Sequence, residues 1–315
     1  MRSQSIGDEL EEIFVELPFE GEKRFMEPMM KHTSLRIGGP ADLFVIPQNL
    51  PSLKNILIIV NRKKIPFFVH GGGTNTLVRD GGIEGVVISL TSFRKIEILS
   101  KNEMNIRIYV ETGAPLQSLV NYSQEKGYSG IEGLAGIPGS VGGAISGNAG
   151  AFGYEMKDVL VSVSMMDTEG NIKSRGVKDI DFGYRRSNIR SKELLLGAEI
   201  LLKKDIKEHV SAKIKDYLNR KWESQPLSEP TAGCVFKNPP ELFAGKLIDE
   251  AGCKGMRIGD VEVSSTHANF FVNKGGAKAA DFIRLMEEVN QRVKEKFGVV
   301  LEPEIKIVGR DQIES

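Results

Sequence analysis

Residues 130–153 read GIEGLAGIPGSVGGAISGNAGAFG, with nine glycines and one charged residue, Glu132. Ile131, Leu134, Ile137, Val141 and Ile145 recur through the block. That makes it too apolar for a disordered low-complexity segment. It reads as chain folded against something flat. A second glycine run stands upstream, where residues 70–80 read HGGGTNTLVRD after the apolar stretch IPFFV. Glycine lets successive amides turn inward and form a concavity of N–H donors that suits an anion. Thr74, Asn75, Ser140 and Ser146 add side-chain donors. The plainer alternatives are a tight turn for the first run and a close backbone crossing for the second. Two such loops in one domain favour a nucleotide cofactor with a bridged pair of phosphates.

Common phosphate motifs are absent. No GxxxxGK[ST] occurs, which argues against a P-loop nucleoside triphosphatase, and no GxGxxG follows the first strand. The formal net charge is +0, from 42 basic and 42 acidic residues. That balance argues against a nucleic-acid polymer or an anionic membrane as partner. Two cysteines and four scattered histidines suggest no metal site. No signal-like or membrane-length apolar run is present, so no membrane insertion and a cytoplasmic location are expected.

Outward from the glycine runs, strands and helices alternate, with strand-rich stretches between them. Strands are expected at ADLFVIP (41–47), IPFFVH (65–70), GVVISL (85–90), NIRIYVETG (105–113), VLVSVSMM (159–166), ELLLGAEILLKK (193–204), ANFFVN (268–273) and VVLEPEIKIVG (299–309). Helices are expected over 52–64, 115–127, 209–222, 241–252 and 279–298, the last with Phe282, Met286, Val289, Val293 and Phe297 on one stripe. The pattern is α+β rather than a regular doubly wound sheet. It divides into a lead-in (1–34), a cofactor domain (35–205) and a smaller α+β C-terminal substrate domain (206–315).

Taken together, IPFFVHGGGTNTLV, GLAGIPGSVGGAISGNAGAFG and FGYRRS resemble the FAD-binding domain of the vanillyl-alcohol-oxidase (VAO)/PCMH flavoprotein class. From TSLRIGGPADLFVIP to LEPEIKIVG, nearly the whole chain is similar to the MurB family of UDP-N-acetylenolpyruvoylglucosamine reductases, in its shorter, type II-like form. The resemblance implies non-covalent FAD, NADPH as co-substrate and UDP-N-acetylglucosamine enolpyruvate as substrate. It places the cofactor at Gly71, Gly72, Gly73, Thr74, Asn75, Thr76, Gly136, Ile137, Pro138, Gly139, Ser140, Gly143, Ala144 and Gly147. Some members of the wider class attach the flavin covalently through histidine or cysteine; His70 reads instead as a structural strand-end residue.

Reducing an enolpyruvyl ether requires a hydride at the terminal carbon, stabilisation of charge spreading into the carboxylate, and a proton at the neighbouring carbon. Arg185 matches the family's catalytic arginine, and a guanidinium can grip a carboxylate with two donors. By itself it would pass for a structural arginine. Glu304 matches the family's catalytic glutamate; in strand order it shares a face with Glu302 and Lys306. As a protonated hydrogen-bond donor it would need a raised pKa. The proton donor is most often serine in the family, and Cys234 stands at that position. A thiol of pKa ~8.5 can protonate carbon, although a lone cysteine is ordinarily a small buried hydrophobe. Tyr184, Lys237 and Asn238 are expected to touch the substrate. The position of the family's upstream substrate lysine falls nearest to Ser224, with Arg220 and Lys221 upstream as the cations that could replace it. The rival readings are another PCMH-type oxidase or dehydrogenase, and a non-catalytic nucleotide-binding module.

Overall fold

A computed structural model describes residues 6–189 and 193–312. The chain forms two compact units, and neither is contiguous in sequence. The first comprises residues 1–25, 43–72 and 85–220; the second comprises 26–42, 73–84 and 221–315. This differs from contiguous boundaries at 34/35 and 205/206. The physical reason is pairing at long range. Strand Thr76–Val78 runs parallel to Lys306–Val308, and Leu35, Ile37 and Leu77 belong to the same core as the C-terminal helices.

Two larger sheets lie mainly in the first unit, beside the two-stranded pairs Gly150–Ala151 with Tyr154–Glu155 and Phe182–Gly183 with Arg186–Ser187. One is four-stranded, in the order Gly21–Pro28, Pro40–Pro47, Ile83–Ser89 and Phe67–His70, with the last two parallel. The other is antiparallel, with Leu194–Lys204 between Leu160–Met166 and Asn105–Glu111. Helix Leu50–Lys63 starts as its sequence suggests: Asn49 Oδ1 accepts from Ser52 N–H, and a proline stands in the first turn. Its Leu53, Ile56, Leu57 and Val60 are fully buried. Helix Leu116–Lys126 ends at Gly127, whose φ of 69° is the left-handed stop that glycine permits. The glycine block also contains a short helix, Val141–Ser146, which the sequence reading does not anticipate.

In the second unit an antiparallel sheet orders Thr231–Cys234, Phe270–Asn273, Val261–Val263 and Arg257–Ile258. Helix Ala279–Phe297 buries Phe282, Leu285, Met286, Val289 and Val293 in its core. The expected helix at 241 begins only at Ala244, because Glu241 takes a φ of 59° and Asn238 Oδ1 caps Ala244 N–H at 3.0 Å. The final strand is also shorter than expected and starts at Lys306. Glu302 and Glu304 therefore precede it rather than sharing its face. Cys253 is fully buried behind helix Ala244–Glu250, as a helix-end core residue should be.

Candidate active site

In the first unit the two glycine runs meet. A Cβ placed on Gly72 would lie 2.8 Å from Gly139 Cα, and one on Gly71 would lie 2.9 Å from Ser140 Oγ. Only residues without side chains allow backbones this close. Gly136 and Gly139 take φ of 73° and 112°, which bends the second run around the contact. Ser140 Oγ accepts from Gly143 N–H at 3.2 Å and so caps the short helix, while its hydroxyl proton stays available to donate. Gly143 is exposed, and a Cβ there would meet nothing nearer than Ser140 Oγ at 3.5 Å. Bare, curved backbone with an open face suits a pyrophosphate, so these residues fit a bound FAD.

Not every expected cofactor residue has this character. Gly71, Gly136, Ile137, Gly139 and Gly147 are half-buried, Gly72 and Pro138 are exposed, and Ala144 is buried in the core. Gly73, Thr74, Asn75 and Thr76 fall in the second unit. There Thr76 is a buried strand residue, and Asn75 donates its side-chain N–H to the Glu304 carbonyl at 3.1 Å. His70 ends its strand buried, packed edge-on against Phe44.

Arg185 sits in the two-residue turn between Phe182–Gly183 and Arg186–Ser187. Its φ is 56°, an unusual left-handed conformation for a long side chain. Three hydrogen bonds fasten this turn to the glycine block. Arg185 Nη2 donates to Gly150 O at 2.9 Å, Asn148 Nδ2 donates to Gly183 O at 3.2 Å, and Ser187 Oγ donates to Ser146 O at 2.8 Å. The guanidinium also lies 5.0 Å from the centre of the exposed Tyr184 ring. Arg186 points elsewhere and pairs with Asp181 at 2.9 Å. Fully buried Asn148 accepts from Lys157 N–H at 3.1 Å and donates to Glu155 Oε2 at 3.2 Å. Hydrogen bonds from Lys157 and Asn148, with the nearby Arg185 charge, hold the Glu155 carboxyl below its usual pKa.

In the second unit Cys234 closes strand Thr231–Cys234 after an irregularity in pairing, with Gly233 at φ 78°. Cys234 is half-buried and forms no disulfide. Glu304 is half-buried one hydrogen bond away: its N–H donates to Val235 O at 2.8 Å. The next N–H, of Val235, donates to Asn269 O at 2.8 Å. Cys234 and Glu304 are thus brought onto neighbouring backbone, and Arg185 belongs to the other unit. Lys237 pairs with Glu302, and Asn238 Oδ1 accepts from Ala244 N–H as a helix cap. Lys221 is buried, and desolvation pushes its pKa down to about 8. Among the described residues no group of three or more His, Cys, Asp or Glu forms a metal site, and no helix is long and apolar enough to cross a membrane.

The comparisons with known proteins bear on the whole chain. Residues 41–175 match the FAD binding domain family, and residues 225–308 match the C-terminal domain of UDP-N-acetylenolpyruvoylglucosamine reductase. The reductase of that name from Caldanaerobacter subterraneus subsp. tengcongensis is 43% identical over 308 residues, 98% of this chain and 99% of the relative. That of Syntrophus aciditrophicus is 42% identical over 91% of this chain and 92% of the relative. The chain belongs to the MurB family of UDP-N-acetylenolpyruvoylglucosamine reductases. The crystal structure of the Thermus caldophilus MurB enzyme superposes with a TM-score of 0.77 at 34% identity, covering 91% of this chain and 98% of that one. The expected α+β architecture, an FAD-binding domain followed by a MurB C-terminal domain, is that of the family.

Three asparagines go unnoticed in the sequence reading. Asn148, Asn269 and Asn273 each make several side-chain hydrogen bonds from buried positions. Their signal was a polar residue inside an apolar run, as in ANFFVN.

Proposed function

We propose that this chain reduces UDP-N-acetylenolpyruvoylglucosamine to UDP-N-acetylmuramate, the muramic acid precursor of peptidoglycan, in the cytoplasm, with NADPH as reductant. The reductase activity follows from family membership; the residue roles are inferred. When bound, FAD would supply the hydride chemistry that the reduction of the enolpyruvyl double bond requires. Gly71, Gly72, Gly136, Gly139 and Ser140 would hold its pyrophosphate. Arg185 pairs with the substrate carboxylate and stabilises the charge that spreads into it. Glu304, protonated, donates a hydrogen bond to the developing enolate. Cys234 gives its thiol proton to the adjacent carbon, and solvent reprotonates the thiolate. Hydride and proton together saturate the double bond.

The observation that supports the Arg185 assignment is the fastening of its turn to the glycine block through Gly150, Asn148 and Ser146; Cys234 and Glu304 are supported by their placement on neighbouring backbone, through Glu304 N–H to Val235 O. The test is single-turnover reduction by Cys234→Ala and Cys234→Ser. Losing the proton donor should slow substrate reduction roughly 100-fold or more in the alanine variant and less in the serine variant. Undiminished reduction by Cys234→Ala removes the thiol from the mechanism.

A further inference from the structure

Strand Thr231–Cys234 does not simply stop. Its neighbour Phe270–Asn273 pairs Thr231 with Val272 and Cys234 with Phe270 across an irregularity at Gly233. Beyond Cys234 the ladder continues through a side chain. Asn269, 2% exposed, donates from Nδ2 to Phe236 O at 2.7 Å and accepts at Oδ1 from Phe236 N–H at 2.9 Å. Its backbone carbonyl takes the Val235 N–H at 2.8 Å. One residue therefore satisfies three of the four backbone polar groups of Val235 and Phe236, directly after the thiol. On its other side Val235 accepts from Glu304 N–H at 2.8 Å, so the same stretch registers the glutamate. Asn269 is itself oriented: its N–H donates to His267 Nδ1 at 3.2 Å, and the ring lies edge-on to Phe270. Burial pushes the His267 pKa down, which favours the neutral ring that can accept this bond.

We propose that Asn269 is a positioning residue for the proton transfer: its carboxamide locks the backbone of residues 235–236 and so fixes where the Cys234 thiol and the Glu304 backbone stand. A carboxamide offers one donor and one acceptor in the geometry of a peptide group, so it can splice a strand where the neighbouring backbone has turned away. Hydrophobic burial alone would not choose asparagine here, because an unsatisfied buried amide is costly. The role rests on Cys234 as proton donor, and the experiment separates the two claims.

Asn269→Ala is measured in two ways on the holoenzyme. The first is the alkylation rate of Cys234 by iodoacetamide, followed by peptide mass, with the fully buried Cys253 as internal reference. Freed from its clamp, the thiol should change its rate by about threefold or more. The second is the half-reaction in which substrate is reduced by the NADPH-charged enzyme. It should slow by about 10- to 100-fold with little change in substrate KM, the cost of misplacing a reacting group. An alkylation rate unchanged from the parent overturns the positioning role. A changed alkylation rate with an undiminished half-reaction upholds the positioning role and overturns Cys234 as the donor. Asn269→Asp serves if the alanine variant does not fold. It keeps the acceptor for Phe236 N–H but regains a donor only when protonated, so its half-reaction should be slow at ~pH 8 and recover toward ~pH 5.5. An aspartate variant as fast as the parent at ~pH 8 overturns the proposal.

Discussion

Asn148 and Asn269 are both shielded from water, yet they hold their surroundings in different ways. Asn148, itself at φ 42°, bonds three residues on two separate stretches of chain: Gly183 on one, Glu155 and Lys157 on the other. Asn269 grips both polar groups of one residue, Phe236. The first gathers loops into a knot, and the second extends a strand. The difference follows from what each supports. Arg185 stands in a turn whose backbone is uphill by roughly 1–2 kcal/mol for any residue but glycine or asparagine, so it must be tied from outside. Cys234 closes a strand whose ladder needs only to be completed, and Glu304 is tied to the residue after it through Val235 O.

This contrast can be broken by separating activity from stability in the first region. Arg185→Asn keeps a residue tolerant of the left-handed turn and removes the guanidinium. Turnover should fall by roughly 100- to 1,000-fold, while chemical denaturation should show a stability change below about 1 kcal/mol. A large loss of stability would mean that the arginine is structural. A smaller effect is expected from the knot itself. Asn148→Ala strands the Gly183 carbonyl and the Lys157 N–H, which should cost about 2–3 kcal/mol of stability, read by urea unfolding. Retained stability would mean that the turn holds without its buried amide.

The smallest effect belongs to the second region and is read through pH. Lys221 has a folded-state pKa of about 8 against an ordinary 10.5, because burial penalises its charge. Between these values the unfolded chain binds the extra proton, so stability rises with pH and is lost as pH falls through the folded value. From ~pH 7 to ~pH 9 the gain should be about 1 kcal/mol. Lys221→Met should flatten that slope; an unchanged slope would assign it to other groups.

Much of this was legible in the residues. The apolar stripes of 50–63 and 279–297 mark their helices, and the glycine runs point to a nucleotide cofactor. Glycine signals reach the reader because they are local: Gly127 ends a helix by its own φ. What was not legible depends on distant partners. Nothing in HGGGTN says that the chain passes between units at Gly73, or that Asn75 answers to the Glu304 carbonyl. Likewise LEPEIK alternates like a strand, but Glu304 bonds Val235 instead of joining the strand that starts two residues later. The two asparagines look like ordinary polar interruptions until their partners are placed.

The interleaved architecture has a consequence for biosynthesis. The second unit draws on residues 26–42 and 73–84, yet its core requires helix Ala279–Phe297 and its parallel strand pair requires Lys306–Val308. While the ribosome is still translating, Leu35, Ile37 and Leu77 therefore emerge long before the side chains that cover them. Their early exposure leaves that apolar surface without its cover until the later helix and strand have been made.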